Sequence, residues 1–435
     1  MNRRPSATGP ASLSGHRIGA RLAAGLLATI MLAACASSIS VAPTAEPSAS
    51  VPPTLPAAAA SALPTVTPAP SAPPATLTGS SLPGGYDPAK FGFAAKGMSH
   101  EVMAFVTTSQ VNYALDTMDW DVVSTVAFFS LEAGQGGHIR HDGRWTIWNE
   151  ARVSRLIAKA HERGTRVVIS LARFAWSPGQ TAVARDILAS AANRAQLAKE
   201  VAGEVNRRGV DGVNVDFEPI PIGQKANFTT FVRLLREQLD AIRPGYQLTF
   251  DVTGHHESYD VGGALRPGGA DAVYLMGYHY AGVWSKVAGS TSPLGGPRYD
   301  VADTIRSLLR FALPKQLIVG VPYYGHTWPT ATGGLHSRTV GGGHDVLFAR
   351  AAAVAAAMGS RYDTVEQVRW VAFRQAGQWY QMYFDDARSM AAKWALVKAG
   401  GLLGSGVWTI AFEGRLRELD AAMRKAFIPP PAAAP

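Results

Sequence analysis

The stretch Asp211-Gly212-Val213-Asn214-Val215-Asp216-Phe217-Glu218 combines the alternation of a β-strand with a row of acids. Successive side chains of a strand point to opposite faces. Val213, Val215 and Phe217 are therefore expected to pack outward against helices, while Asn214, Asp216 and Glu218 share the other face. Two carboxyls and an amide in an apolar interior are costly unless paired or solvated, so such a face marks a site rather than a core. Asp211, five residues before Asp216, falls on the outward face and reads as structural.

Outward from this stretch, short β-rich apolar runs alternate with amphipathic helices. Strands are expected at 102–107, 123–129, 166–172, 212–217, 247–252, 272–278, 316–322 and 405–410, and helices at 150–163, 183–208, 226–242, 301–311 and 387–399. Repeated strand-helix units imply a parallel sheet. Eight of them in one run predict an α/β fold, the closed (β/α)8 TIM barrel, whose working end is the C-terminal end of its strands. Glu218, Tyr278 and Trp408 close the fourth, sixth and eighth strands, so residues far apart in sequence are expected at one mouth.

Asp211-Gly-Val-Asn-Val-Asp-Phe-Glu218 resembles the Asp-x-x-Asp-x-Asp-x-Glu signature of the family-18 glycoside hydrolases, the chitinase family, with Asn214 where the middle Asp is commoner. Tyr274-Leu-Met-Gly-Tyr-His279 resembles the Met-x-Tyr-Asp strand of that family, Val319-Gly-Val-Pro-Tyr-Tyr-Gly-His-Thr-Trp328 its seventh-strand segment, and Gly406-Val-Trp408 its eighth-strand tryptophan. The resemblance spans roughly residues 98 to 425 and implies a small α+β insertion over 323–384, after the seventh strand. It also implies retaining, substrate-assisted hydrolysis of β-1,4 bonds between N-acetylglucosamine units, in which the acetamido group of the sugar is the nucleophile. Catalytic roles then fall to Glu218 as acid and base, Asp216 as orienting carboxylate and Tyr278 as hydrogen-bond donor to the acetamido carbonyl. Asn214, Trp408, Met276, His279, Trp176 and Trp328 are the implied substrate-binding residues, with Asn214 hydrogen-bonding Asp216 and Trp408 flooring the sugar. Trp284 is a further sugar platform by its place after a strand, whereas Trp370, Trp379 and Trp394 read as structural. The adjacency of Asp216 and Glu218 on one strand suits this chemistry, since two such carboxyls cannot flank a sugar.

The ends of the chain have a different character. Arg3, Arg4, Arg17 and Arg21 precede an apolar run from Leu22 to Ala34 and then Cys35, the single cysteine. This reads as a lipoprotein signal peptide over 1–34, too short to span a membrane, with Cys35 lipidated. Residues 35–83, rich in Ala, Pro, Ser and Thr, read as a tether; 84–428 as the catalytic barrel; 429–435 as a disordered tail. The expected location is extracytoplasmic, anchored to the outer face of the cell membrane or secreted. The four arginines before Cys35, with no acid among them, take the balance beyond it from +9 to +5. That mild charge, without a basic cluster or a Gly-rich phosphate loop, gives no support to nucleic-acid or nucleotide binding. No cofactor and no metal are expected, His255, His256 and His326 lacking metal-ligand spacing, and a monomer is expected.

Two departures from the family pattern bear on the substrate. His279 stands where Asp is common, and the third strand ends Ser170-Leu-Ala-Arg-Phe174 instead of Ser-x-Gly-Gly, predicting a bulkier wall. The polymer is read as chitin-like, with peptidoglycan glycan strands as the alternative within the same chemistry. A non-catalytic chitooligosaccharide-binding protein on the same barrel is the alternative outside it, disfavoured by the retention of Glu218.

Overall fold

Val213, Val215 and Phe217 are buried beneath the helix Lys225–Ile242, with Phe217 stacked 5.6 Å from Phe231 and 6.1 Å from Phe228. This packing turns Asn214, Asp216 and Glu218 of the strand Gly212–Glu218 inward. In the computed structural model, residues 90–296 and 299–429 are described. The expected signal peptide, the tether with Cys35, and residues 430–435 lie outside them.

Eight parallel strands form the barrel: β1 (Glu101–Thr107), β2 (Thr125–Gly134), β3 (Arg166–Phe174), β4 (Gly212–Glu218), β5 (Gln247–Val252), β6 (Ala272–Met276), β7 (Leu317–Pro322) and β8 (Gly404–Trp408). Each pairs with the next, and β8 pairs with β1 in the register Glu101↔Gly404, which closes the sheet. The fold is the (β/α)8 barrel that the strand-helix alternation predicted. Its interior is filled by Met103, Phe105, Tyr274, Met276 and Ile318, all buried. Tyr274 takes the centre because β7 and β8 present Gly320 and Gly406 there; a Cβ on either would collide with its ring. Outside the strands, apolar side chains such as Leu197, Val201, Leu235 and Leu239 form the layer between barrel and helices. Each buried Leu or Phe of that layer contributes about 1.5–3 kcal/mol.

One helix expected over 183–208 is two, Pro178–Ala189 and Ala191–Arg208. Ser190 sits between them in extended conformation, and its Oγ accepts from the Asn193 amide. A residue that caps a new helix is non-helical, so the run of helix formers is interrupted there.

Between β7 and the helix Ala387–Ala399 lies the α+β insertion, a lobe of five antiparallel strands. Its strands are Tyr324–Thr330, His344–Leu347, Arg361–Asp363, Val368–Gln375 and Gln378–Phe384, with the helix Phe348–Met358 between the second and third. Ala376 and Gly377, both at positive φ, make the two-residue turn of the last hairpin. The excursion leaves and rejoins the barrel at one residue pair, Gly325↔Phe384. Trp328, Trp370 and Tyr383 are buried at the centre of the lobe.

Candidate active site

The C-terminal mouth of the barrel collects three carboxyls. Asp216 and Glu218 come from β4, and Asp251 comes from the inward face of β5. Asp216 and Asp251 are buried, and among the described residues none of the three makes an ion pair with Lys, Arg or His. Burial first, then the neighbouring Glu218 and Asp251, push the Asp216 carboxyl well above the ordinary range. Burial likewise raises Asp251, opposed by a hydrogen bond from Asn214. Burial raises Glu218 to about 7, with a hydrogen bond to Asp216 acting the other way. Three uncompensated carboxyls this close cannot all ionise, so the cluster retains protons near neutral pH and titrates as a unit. A group that holds a proton at pH 7 and can release it has the property required of a general acid and base.

Asn214 does not serve Asp216. Its Nδ2 donates to Asp251 at 2.8 Å, and its Oδ1 accepts from Thr249 Oγ1 at 2.7 Å. Both of these partners come from β5, because β4 and β5 pair with Asn214 opposite Thr249. The expected hydrogen bond from Asn214 to Asp216 is corrected accordingly: Asn214 bonds Asp251, and Asp251 is the second carboxyl acting on Asp216. Asp251 escaped the sequence reading since it is one acid in an ordinary strand; the alternation Thr249, Asp251 was the available signal.

An aromatic wall surrounds the acids. Trp408 ends β8 with its ring edge-on to Phe129 at 4.6 Å and 5.4 Å from Phe105. Tyr278, buried just past β6, lies 6.1 Å from Tyr324. Met276 ends β6 within the barrel interior. Along the opposite rim, Phe174 at the end of β3 stacks on Trp176 at 4.2 Å, and Trp176 is 64% exposed. The bulk expected on the third strand is thus Phe174. Arg173 turns away, buried, to an ion pair with Glu132 at 2.9 Å.

His279 is at positive φ, and its amide donates to Thr291 Oγ1 at 3.0 Å. Its ring stays exposed on one side yet is crowded by Tyr278, Tyr324 and Trp284, and this partial desolvation, with His326 nearby, lowers its pKa. It sits at the rim as a neutral imidazole. Trp284, 66% exposed, lies 6.1 Å from it.

Trp328 is a correction. It is fully buried in the lobe, its Nε1 donating to Gly282 O at 3.2 Å, so it offers no face to a ligand. Its register opposite Gln381 of the neighbouring strand carries it inward, a consequence of sheet pairing that the local sequence does not contain. Trp370 and Trp394 are buried, as their structural reading required. Asp211 is buried at the start of β4, where its Oδ2 accepts from the Val167 amide at 2.7 Å and meets His161 Nε2 at 2.8 Å.

A second concavity, of about 1220 Å³, opens at the N-terminal end of the strands, lined by Glu101, Arg166, Arg236, Gln247, Asp271 and Leu403 among others. Several of its charged groups are already engaged: Arg236 holds Asp240 and Asp271 at 3.0 and 3.1 Å, and Glu101 accepts from Ser124 Oγ at 2.7 Å. Volume does not identify the chemistry here.

Residues 81–413 match the family described as glycosyl hydrolases family 18. Among characterised proteins, the chain is 24% identical to the di-N-acetylchitobiase of Rattus norvegicus over 67% of this chain and 77% of that one. It is 26% identical to chitinase A1 of Niallia circulans over 57% of this chain and 40% of that one. It is 25% identical to YdhD of Bacillus subtilis, provisionally named a sporulation-specific glycosylase, over 63% of this chain and 64% of that one. The chain thus spans between two fifths and about three quarters of the length of these relatives. Among solved structures, a Cycas revoluta chitinase in complex with (GlcNAc)3 superposes with a TM-score of 0.65 at 19% identity, covering 75% of this chain and 98% of that one. A chitinase-like agglutinin of Robinia pseudoacacia superposes equally well, at 0.65 and 18% identity over 76% and 99%.

Proposed function

Because this chain belongs to glycosyl hydrolases family 18, we propose that it hydrolyses β-1,4 bonds of N-acetylglucosamine polymers with retention, using the acetamido group of the substrate as nucleophile. The observation that carries this reading is the buried, unpaired carboxyl cluster at the barrel mouth, with Glu218 raised to about 7. Protonated Glu218 donates its proton to the glycosidic oxygen as the bond to the anomeric carbon breaks. The acetamido carbonyl oxygen then bonds that carbon, giving a cationic oxazolinium. With the cluster's protons on Glu218 and Asp251, Asp216 is the carboxylate that faces the acetamido N–H and stabilises the cation; Tyr278 donates to the carbonyl side. Glu218, now a carboxylate, removes a proton from the attacking water, and the ring opens with the original configuration restored. Asp251 and Asn214 hold the charge balance behind Asp216, and Trp408 supplies the apolar floor under the sugar.

A chitin-like polymer is the preferred substrate in this reading, supported by the names of the rat and Niallia relatives. Peptidoglycan is the second reading, since its glycan strands also contain β-1,4-linked N-acetylglucosamine and the Bacillus relative is named a glycosylase without a chitin substrate. The retained acid distinguishes both from a purely sugar-binding role. The test is product analysis by mass spectrometry on N-acetylglucosamine oligomers, peptidoglycan, fully deacetylated glucosamine chains and cellulose oligomers. Cleavage confined to acetylated substrates is expected. Comparable cleavage of cellulose oligomers, or a covalent ester on Asp216, would overturn the substrate-assisted route.

Anchorage of a monomer to the outer face of the membrane through Cys35 belongs to the same proposal, supported by the arginine-flanked apolar run that ends at the only cysteine. Detergent partitioning of Cys35→Ser reads it: a serine variant that partitions like the parent removes the anchor.

A further inference from the structure

We propose that His336, Asp363 and Glu366 form a site for a divalent transition-metal ion, of Zn2+ or Mn2+ chemistry, that fastens the lobe to the loop following β6. One imidazole nitrogen and one oxygen from each carboxylate lie within 4.8 Å of one another. Asp363 and Glu366 are buried and His336 is half-buried. The proton on the His336 ring is fixed by its surroundings: Nδ1 lies 3.1 Å from the Ala288 carbonyl, which can only accept, so Nδ1 carries the hydrogen. Nε2 is then the ring nitrogen whose lone pair can meet an ion, the arrangement found in metal-ligating histidines whose other nitrogen is held by a carbonyl.

That lone pair lies 2.9 Å from Asp363 Oδ2. Oδ2 is buried and accepts no hydrogen bond, while Oδ1 of the same carboxylate takes the Val365 and Glu366 amides at 2.8 and 3.1 Å. A metal ion between these two atoms would supply the positive charge that a buried carboxylate oxygen requires. Donors 2.9 Å apart subtend a near-right angle at an ion about 2.1 Å from each, a normal metal-ligand length. Glu366, whose side chain accepts from the Ser290 amide at 2.8 Å, completes the set. One imidazole with two carboxylates suits Zn2+ or Mn2+ and does not suit Ca2+, which takes oxygen ligands. Ala288 and Ser290 lie on the loop that also carries Thr291, the acceptor of the His279 amide. The ion would therefore lock the lobe onto the segment that shapes the rim beside His279. The sequence conceals this site, since the imidazole and the carboxylates stand 27 and 30 positions apart with no recurring spacing.

The full chain, stripped with a chelator, is titrated separately with Zn2+, Mn2+ and Ca2+ while thermal unfolding is followed, and retained metal is counted after dialysis. One equivalent of Zn2+ or Mn2+ is expected, with a rise in Tm of about 4 °C at a hundredfold excess over Kd. His336→Gln and Glu366→Gln should unfold near the temperature of the stripped parent and lose the metal-dependent rise. A Tm that no ion moves leaves the cluster a His336–Asp363 contact within the lobe and overturns the site. A rise that survives in both variants places the ion elsewhere and also overturns it. Stabilisation by Ca2+ alone overturns the assigned ion class.

Discussion

The two ends of strand β4 carry the same residue type in opposite circumstances. At the N-terminal end, Asp211 is buried but answered by the Val167 amide and His161. At the C-terminal end, Asp216 is as buried and has Glu218 and Asp251, two further acids, for company. Five positions along the chain separate an acid that supports the fold from one that burdens it. The second kind is tolerated because a proton, and then a substrate, can satisfy it; stability lost at the mouth is chemistry gained. The concavities tell the same story, the N-terminal opening holding Arg236 paired with Asp240 and Asp271 while the reactive cluster lies at the opposite end.

This contrast can be broken most sharply at Glu218. Glu218→Gln is expected to lower kcat on N-acetylglucosamine oligomers by about a thousandfold or more while Tm holds or rises, since it removes a proton donor and a burdened carboxyl together. Turnover within tenfold of the parent would dismiss Glu218 as the acid. At the other end, Asp211→Ala is expected to leave kcat/KM of the folded fraction within about twofold and to cost about 2–4 kcal/mol, seen as a Tm lower by roughly 3–6 °C, because the Val167 amide and His161 lose their acceptor. A kinetic defect without a stability loss would erase the distinction between the two ends.

The smallest effect is in the pH dependence. The folded pKa of Glu218, about 7, lies above the ordinary carboxyl value of 4.5. Between those values the folded chain holds a proton that the unfolded chain has lost, so stability falls as pH rises from about 4.5 to about 7 and levels beyond. The acid form needed for catalysis is lost over the same rise, and kcat/KM should decline above about pH 7. Chemical denaturation of the parent and of Glu218→Gln across this range checks the sign: the variant should lose most of the downward slope. A slope that is unchanged assigns it to other groups.

The barrel and the β4 acids were legible because both are written in local periodicity. Val213, Val215 and Phe217 alternate with Asn214, Asp216 and Glu218, and no distant information is needed to read them. Ser190 was missed because a cap looks like any serine inside a helical run until the backbone turns. Asp251 was missed because its meaning depends on β5 lying beside β4. Trp328 was misread for a related reason: it follows a barrel strand as a rim residue would, but pairing with Gln378–Phe384 buries it. What the sequence withholds here is which strand stands next to which.

The lobe leaves and rejoins the barrel at Gly325 and Phe384, whose backbones are directly paired. Gly325 has no Cβ, and one would collide with the Tyr383 carbonyl, so the clasp closes fully. A detour pinned at its neck is, for the rest of the chain, topologically equivalent to a short turn. Its far hairpin at Ala376 and Gly377 can lengthen or shorten with only a logarithmic change in closure entropy. The barrel is thereby insulated from the history of its own insertion, and the cleft wall can be redrawn without renegotiating the register of eight strands.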